Sequence, residues 1–157
     1  MTNDTIPHWD LTNVFPGLES DEFNTALSVS KEDIAALETY LDQHNIGESG
    51  DLPADPAVFA EITAGYLQRM NALLRAQRSF TSYVYSFITT DSYNTTAKRI
   101  LSELSMLFPQ ISQIDVRFSA WIGRMDVADA NALIKAASLN QKVADHAFVL
   151  QETAKQS

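Results

Sequence analysis

The stretch Tyr93–Met125 constrains the fold more than any other part of this chain. Its apolar residues are Tyr93, Ala97, Ile100, Leu104, Leu107, Ile111, Ile114, Phe118, Trp121 and Met125. The steps between them alternate four and three, which draws one continuous stripe along a helix. A helix of that length runs about 50 Å and needs partners of similar length to cover its stripe. Pro109 interrupts the middle. Proline removes one helical hydrogen bond and crowds the carbonyl four residues back. The stripe keeps its phase across Pro109, which favours a bent helix over an end. Two helices meeting at the residue before the proline are the alternative.

A second stripe precedes it. Phe59, Ile62, Tyr66, Met70, Leu73, Gln77, Phe80, Val84 and Phe87 follow in steps of three and four, with Gln77 the one polar member. Asp55 is placed to cap this helix, and Pro56 fits its first turn, where a missing N–H costs nothing. Val58, Leu67, Leu74, Tyr85 and Ile88 form a second apolar edge, which implies cover on more than one side. Asp91 or Ser92 can cap the next helix.

The first helix starts at Ser20, with Asp21 and Glu22 at its positive end. Phe23, Leu27, Ile34, Leu37 and Leu41 supply its apolar side. Ser28-Val29-Ser30 weakens the pattern, so one helix or two pieces fit, with Glu32 and Asp33 in the first turn of a second piece. The pattern stops near His44-Asn45, and Gly47 can supply a left-handed terminator. After Met125, Asp126 is a good cap for a fourth helix through Leu133, Ile134, Val143 and Phe148, which reads as a helix cut short at Ser157 or an ordinary frayed terminus. Ahead of everything, Trp9, Leu11, Val14, Phe15 and Leu18 form an apolar strap whose side chains gain by burial. The expected fold class is all-α, an antiparallel bundle of long helices preceded by that strap, in one lobe over residues 1–157.

Composition closes several routes. The 157 residues hold no cysteine, which excludes disulfides and thiolate chemistry within the chain. Net charge is −9, against nucleic-acid binding, where affinity rests on clustered Lys and Arg. Arg69, Arg75 and Arg78 read as a solvated helix face. No apolar run is long enough to span a membrane, and no signal peptide is legible, so a cytoplasmic protein is expected.

No catalytic, cofactor-binding or metal-ligating residue emerges. His8, His44 and His146 lack the His-Glu-x-x-His spacing that sets two ligands on one helix face. Asp145 adjoins His146 and points elsewhere on a helix, which also weakens a metal reading with Glu152. Acidic residues at 19, 21, 22, 32 and 33 are explained by helix dipoles. The aromatic set Phe80, Tyr83, Tyr85, Phe87 and Tyr93 stands out, because Tyr83 and Tyr85 cannot both join the Phe80-Val84-Phe87 stripe. Core or helix-edge packing is the simpler role, and a cleft or interface the functional one.

Trp9-Asp10-Leu11-Thr12-Asn13-Val14-Phe15-Pro16-Gly17-Leu18, followed by Glu19 to Phe23, resembles the amino-terminal start of the oligoendopeptidase F family of zinc metallopeptidases, related to the thimet-type oligopeptidases. Tyr83 to Asp91 is similar to a helix end and Thr/Asp-rich turn in that family, and Phe118 to Ile122 to its later aromatic helix. The resemblance implies a truncated amino-terminal helical lobe that walls a channel for short peptides. Zinc and a His-Glu-x-x-His helix would belong to a missing carboxy-terminal catalytic region. The intact parent would be a zinc metalloendopeptidase, and this chain alone would be inactive. An exposed apolar face, open to self-association, is then expected where that region docks. A free-standing helical protein–protein interaction or regulatory domain is the alternative.

Overall fold

The computed structural model describes residues 15–125. They form three α-helices packed together: α1 (Asp21–Gln43), α2 (Pro56–Thr90) and α3 (Thr95–Ile122). The described residues contain no strand. None of these helices is long and apolar enough to cross a membrane. The strap residues Trp9, Leu11 and Val14 and the expected fourth helix after Met125 lie outside the described residues.

Each helix forms where its stripe is buried. On α3, Ala97, Ile100, Leu104, Leu107, Ile111, Ile114, Phe118 and Trp121 are all buried. The helix is continuous through Pro109, so the two-helix alternative is excluded. Pro109 and Ser105, whose carbonyl loses its usual donor at residue 109, are both exposed. Water can therefore satisfy that carbonyl, which lowers the cost of the proline. α1 is also a single helix. Ser30 occupies a stripe position between Leu27 and Ile34 and is buried with them, so the phase never breaks. Glu32 and Asp33 accordingly lie in mid-helix, not in a first turn.

The helix ends follow local chemistry. Ser20 Oγ accepts from the Phe23 amide at 3.2 Å, and Asp55 Oδ1 from the Ala57 amide at 2.9 Å. α3 is capped by Asn94, whose Oδ1 accepts from the Ala97 amide at 2.9 Å. Asp91 instead closes a turn by accepting from the Tyr93 amide at 2.9 Å, and neither it nor Ser92 makes the cap. α1 ends at Asn45, not Gly47, in the left-handed conformation with φ 53°. The Ile46 amide donates to the Leu41 carbonyl at 2.8 Å and the Asn45 amide to Asp42 at 3.1 Å. That pair is the Schellman arrangement, and buried Ile46 and Leu41 supply the accompanying apolar residues.

The described chain divides into two compact units, each drawing on all three helices. The first holds residues 15–36 and Arg69–Ser112. Its centre is a ring cluster: Phe23 lies 5.2 Å from Phe15, 5.5 Å from Phe80 and 5.6 Å from Tyr83 between centroids. Tyr83 donates its hydroxyl to the Phe15 carbonyl at 2.8 Å, which ties the segment just ahead of α1 to α2. Lys31 on α1 pairs with Glu103 on α3 at 2.8 Å, a surface pair of small energetic weight.

The second unit holds Leu37–Gln68 and residues 113–125. Phe59 stacks on Trp121 at 4.8 Å, and Tyr66 on Phe118 at 3.6 Å. As α2 advances from Phe59 to Tyr66, its α3 partners step back, so the two helices run in opposite directions there. The α1–α2 connector is held by side chains of the segment around the end of α3. Arg117 donates to Asp42 Oδ1 at 2.9 Å and to the Ile46 carbonyl at 3.0 Å. Trp121 Nε1 donates to the Asp51 carbonyl at 3.4 Å, and Arg124 donates to the Gly50 carbonyl. A Cβ on Gly50 would lie 1.7 Å from the Asn45 carbonyl oxygen, so only glycine lets these backbones approach.

Candidate functional site

Histidine and acidic residues offer no assembled centre. Among the described residues, no group of three or more His, Cys, Asp or Glu side chains is placed to hold a metal ion. His44 packs its ring on Tyr40 with centroids 4.4 Å apart, at the end of α1. His8, Asp145, His146 and Glu152 lie outside the described residues. Arg75 and Arg78 are exposed on α2, and Arg69 is half-buried.

Among the described residues, burial shifts the protonation of Asp33, Tyr66 and Tyr83. Burial, then the Asp115 carboxylate beside it, pushes the Tyr66 phenol far above the usual tyrosine range. Its hydroxyl donates to Asp115 Oδ1 at 3.0 Å. Burial also raises the Tyr83 phenol. Asp33 is raised first by burial and then by the neighbouring Glu32. Tyr66 is paired with the Asp115 carboxylate, and no third reactive side chain joins that pair among the described residues. Packing and hydrogen bonding account for all three shifts.

The aromatic set separates into two roles. Phe80 and Tyr83 belong to the first unit's ring cluster, and Phe87 flanks Tyr83 at 5.1 Å. Tyr85 is 48% exposed and Tyr93 85% exposed. Tyr93 therefore leaves the α3 stripe that its spacing suggested, because it precedes the helix in the Asp91–Asn94 turn. The second edge of α2 splits as well: Leu67 is buried, while Val58 and Tyr85 face solvent. On α3, outside the stripe, Ile122 is fully buried, and Leu101 and Phe108 are half-buried.

An open pocket of about 470 Å³ lies in the first unit, lined by Pro16, Gly17, Leu18, Glu19, Ser20, Phe87, Asn94 and Thr96. Leu18 and Phe87 supply its apolar surface. Two of its polar side chains are already engaged, since Ser20 and Asn94 cap α1 and α3. The pocket follows from two helix starts meeting the end of α2, and it gathers no reactive pair.

The outward face of α3 in the first unit is the strongest candidate for recognition. Leu104–Ser112 contains no charged residue. Ser105, Met106, Pro109, Gln110 and Ser112 are exposed there, Met106 at 79%. On α1 of the same unit, the exposed positions include Asp21, Glu22, Lys31 and Glu32. Interface centres are depleted of charge and enriched in Met and aromatic residues, which fits the α3 face and not the α1 face. The sequence carried this signal as a charge-free run between Glu103 and Asp115, hidden because half of that run is core stripe.

Comparison of the chain with protein-family models, curated proteins and solved structures gave no match. The described residues form three packed α-helices, and α3 carries an uncharged, partly apolar outward stretch.

Proposed function

We propose that this protein is a helical interaction or regulatory domain that works by binding another protein surface. The exposure of Met106 within the uncharged outward face of α3 carries the reading. A long flexible apolar side chain is a poor choice for solvent and a good one for an adaptable contact. The finer architecture that goes with it is an antiparallel bundle with Trp9, Leu11 and Val14 of the strap docked on the body. A cytoplasmic setting suits a chain without cysteine.

Because the chain has no cysteine, single reactive positions can be introduced cleanly. Met106→Cys and Glu32→Cys variants, each carrying a photo-crosslinker, are compared in extract of the native cells. The expected result is a discrete adduct from position 106 and none from position 32. Equal labelling from both positions, or none from position 106, would overturn the reading.

A second reading rests on the resemblance of Trp9–Leu18, Tyr83–Asp91 and Phe118–Ile122 to oligoendopeptidase F enzymes. In it the chain is the amino-terminal wall of a zinc oligopeptidase. A catalytic region outside this chain would supply the zinc ligands, and short peptides would be the substrates. The same α3 face would then meet that region, and the adduct from position 106 would contain a zinc peptidase chain. Both readings expect no hydrolysis by this polypeptide alone. Chelator-sensitive cleavage of a quenched peptide by the pure chain would contradict them together.

A further inference from the structure

The tip of the α1–α2 connector carries no apolar side chain. Residues 47–51 are Gly47, Glu48, Ser49, Gly50 and Asp51. Glu48, Ser49 and Asp51 are exposed. Hydrophobic burial, the dominant favourable term in holding a folded segment, therefore does not anchor them. Among the described residues, two hydrogen bonds tie this tip to the body of its unit, and both end on its backbone. The Gly50 carbonyl accepts from Arg124, and the Asp51 carbonyl accepts from Trp121 Nε1 at 3.4 Å. A further bond, from the Gly50 amide to the Gly47 carbonyl at 3.1 Å, is internal to the turn.

The flanks of the tip are fixed more firmly. Ile46 is buried, its amide donates to the Leu41 carbonyl at 2.8 Å, and its carbonyl accepts from Arg117 at 3.0 Å. On the far side Leu52 is half-buried, and the ring of Pro53 restricts the backbone. Space is open around Gly47, where an added Cβ would meet nothing within 4 Å. The tip borders a body of opposite character. Trp121 and Ile122 are fully buried, and Trp121 stacks on Phe59 at 4.8 Å. Segments with few buried apolar contacts open locally at a fraction of the free energy of global unfolding.

We infer that residues 47–51 are a lid on the end of α3, hinged between Ile46 and Pro53, which opens while the helices of this unit stay packed. Gly50 and Asp51 are adjacent, so one movement breaks both carbonyl bonds. That movement frees the Arg124 guanidinium and the Trp121 N–H together. A closed lid keeps both donors occupied, and an open lid presents them to another acceptor. The connector and the end of α3 are thereby coupled as one conformational device. The inference stands apart from the α3 face around Met106, and neither depends on the other.

Native-state hydrogen exchange of the full chain, followed by NMR in low urea, tests this. The Trp121 indole N–H and the Gly50 amide should report one shared free energy of opening, below that of the Ile114 and Phe118 amides. It should depend little on urea, because opening exposes little surface. Arg124 is exposed, so Arg124→Ala should leave the fold intact. It should speed exchange of both lid protons about fivefold, the weight of one net hydrogen bond. The Ile46 amide, held at the hinge, and the Phe118 amide should keep their rates. Lys31→Ala, in the other unit, should change neither lid proton. Lid protons that exchange only with global unfolding, or that open with two different free energies, would overturn the inference. So would an Arg124→Ala variant whose lid protons are unchanged, or whose Phe118 amide speeds up as much as Gly50.

Discussion

The ring cluster of the first unit and the connector of the second are both held by contacts distant in sequence, but through different chemistry. Phe15, Phe23, Phe80 and Tyr83 meet through side-chain surface, with one hydroxyl bond to the Phe15 carbonyl. The connector meets its holders through backbone oxygen: Ile46, Gly50 and Asp51 each present a carbonyl to Arg117, Arg124 or Trp121. Ring packing depends on volume and tolerates small shifts by repacking. Carbonyl capture depends on the path of the main chain, so it is sensitive to a single added atom. The first unit should therefore yield to lost volume and the connector to added volume.

The largest effect is expected at Phe23, which is fully buried and touches three other rings. Phe23→Ala should cost about 3–5 kcal/mol in urea unfolding, because a large cavity opens. A loss below about 1 kcal/mol would mean that the cluster is not a core. Gly50→Ala comes next. Its new Cβ would collide with the Asn45 carbonyl, and the connector must shift at a cost of roughly 1–3 kcal/mol. Hydrogen exchange should locate the change at residues 45–51. An unaltered exchange pattern there would refute the close approach of the two backbones.

Tyr66→Phe should cost about 1 kcal/mol at neutral pH, the net value of one hydrogen bond. Its pH signature is sharper. The folded phenol is raised above its unfolded value, so the folded state holds its proton longer. Stability from this group is complete below about pH 10 and falls as pH rises past the ordinary tyrosine value. Alkaline melting curves of the variant should lose part of that decline, and a parallel decline would remove Tyr66 as its source. The smallest effect belongs to Asp33. Its raised carboxyl also favours the protonated folded form, so the chain gains stability as pH falls through the raised value toward about 3.9. Asp33→Asn should stabilise slightly at neutral pH and lose its advantage in acid. An advantage that grows in acid would reverse the sign assigned here.

The comparison also explains what could be read in advance. Large apolar side chains at helical spacing announce themselves, so Phe23, Phe80 and Val84 were legible as core from their positions alone. The stripes gave α2 and α3 nearly to their ends, because burying a continuous stripe outweighs one proline. Helix ends were less legible where several residues compete. Asn94 won over Asp91 and Ser92 because it is the residue placed one step before α3, three before the amide it caps. Asn45 took the left-handed position that glycine would fill most easily, since the chain turns two residues before Gly47. Residues 46–54 read as a connector from their two glycines and Pro53, but what holds it was not legible. Its holders lie about seventy residues away and face main-chain atoms, which leave no mark on the pattern of side chains. The candidate α3 face was legible only as an absence of charge. Recognising it needed the burial pattern, which shows that Met106 is outside and Leu107 inside.

The stacked Phe59–Trp121 pair makes the connector observable by light. Trp121 is fully buried and donates to Asp51, so its indole sits in an apolar setting only while the connector stays in place. The chain holds one other tryptophan, Trp9. In a Trp9→Phe background the emission maximum becomes a label-free gauge of that one loop, shifting red when water reaches the indole.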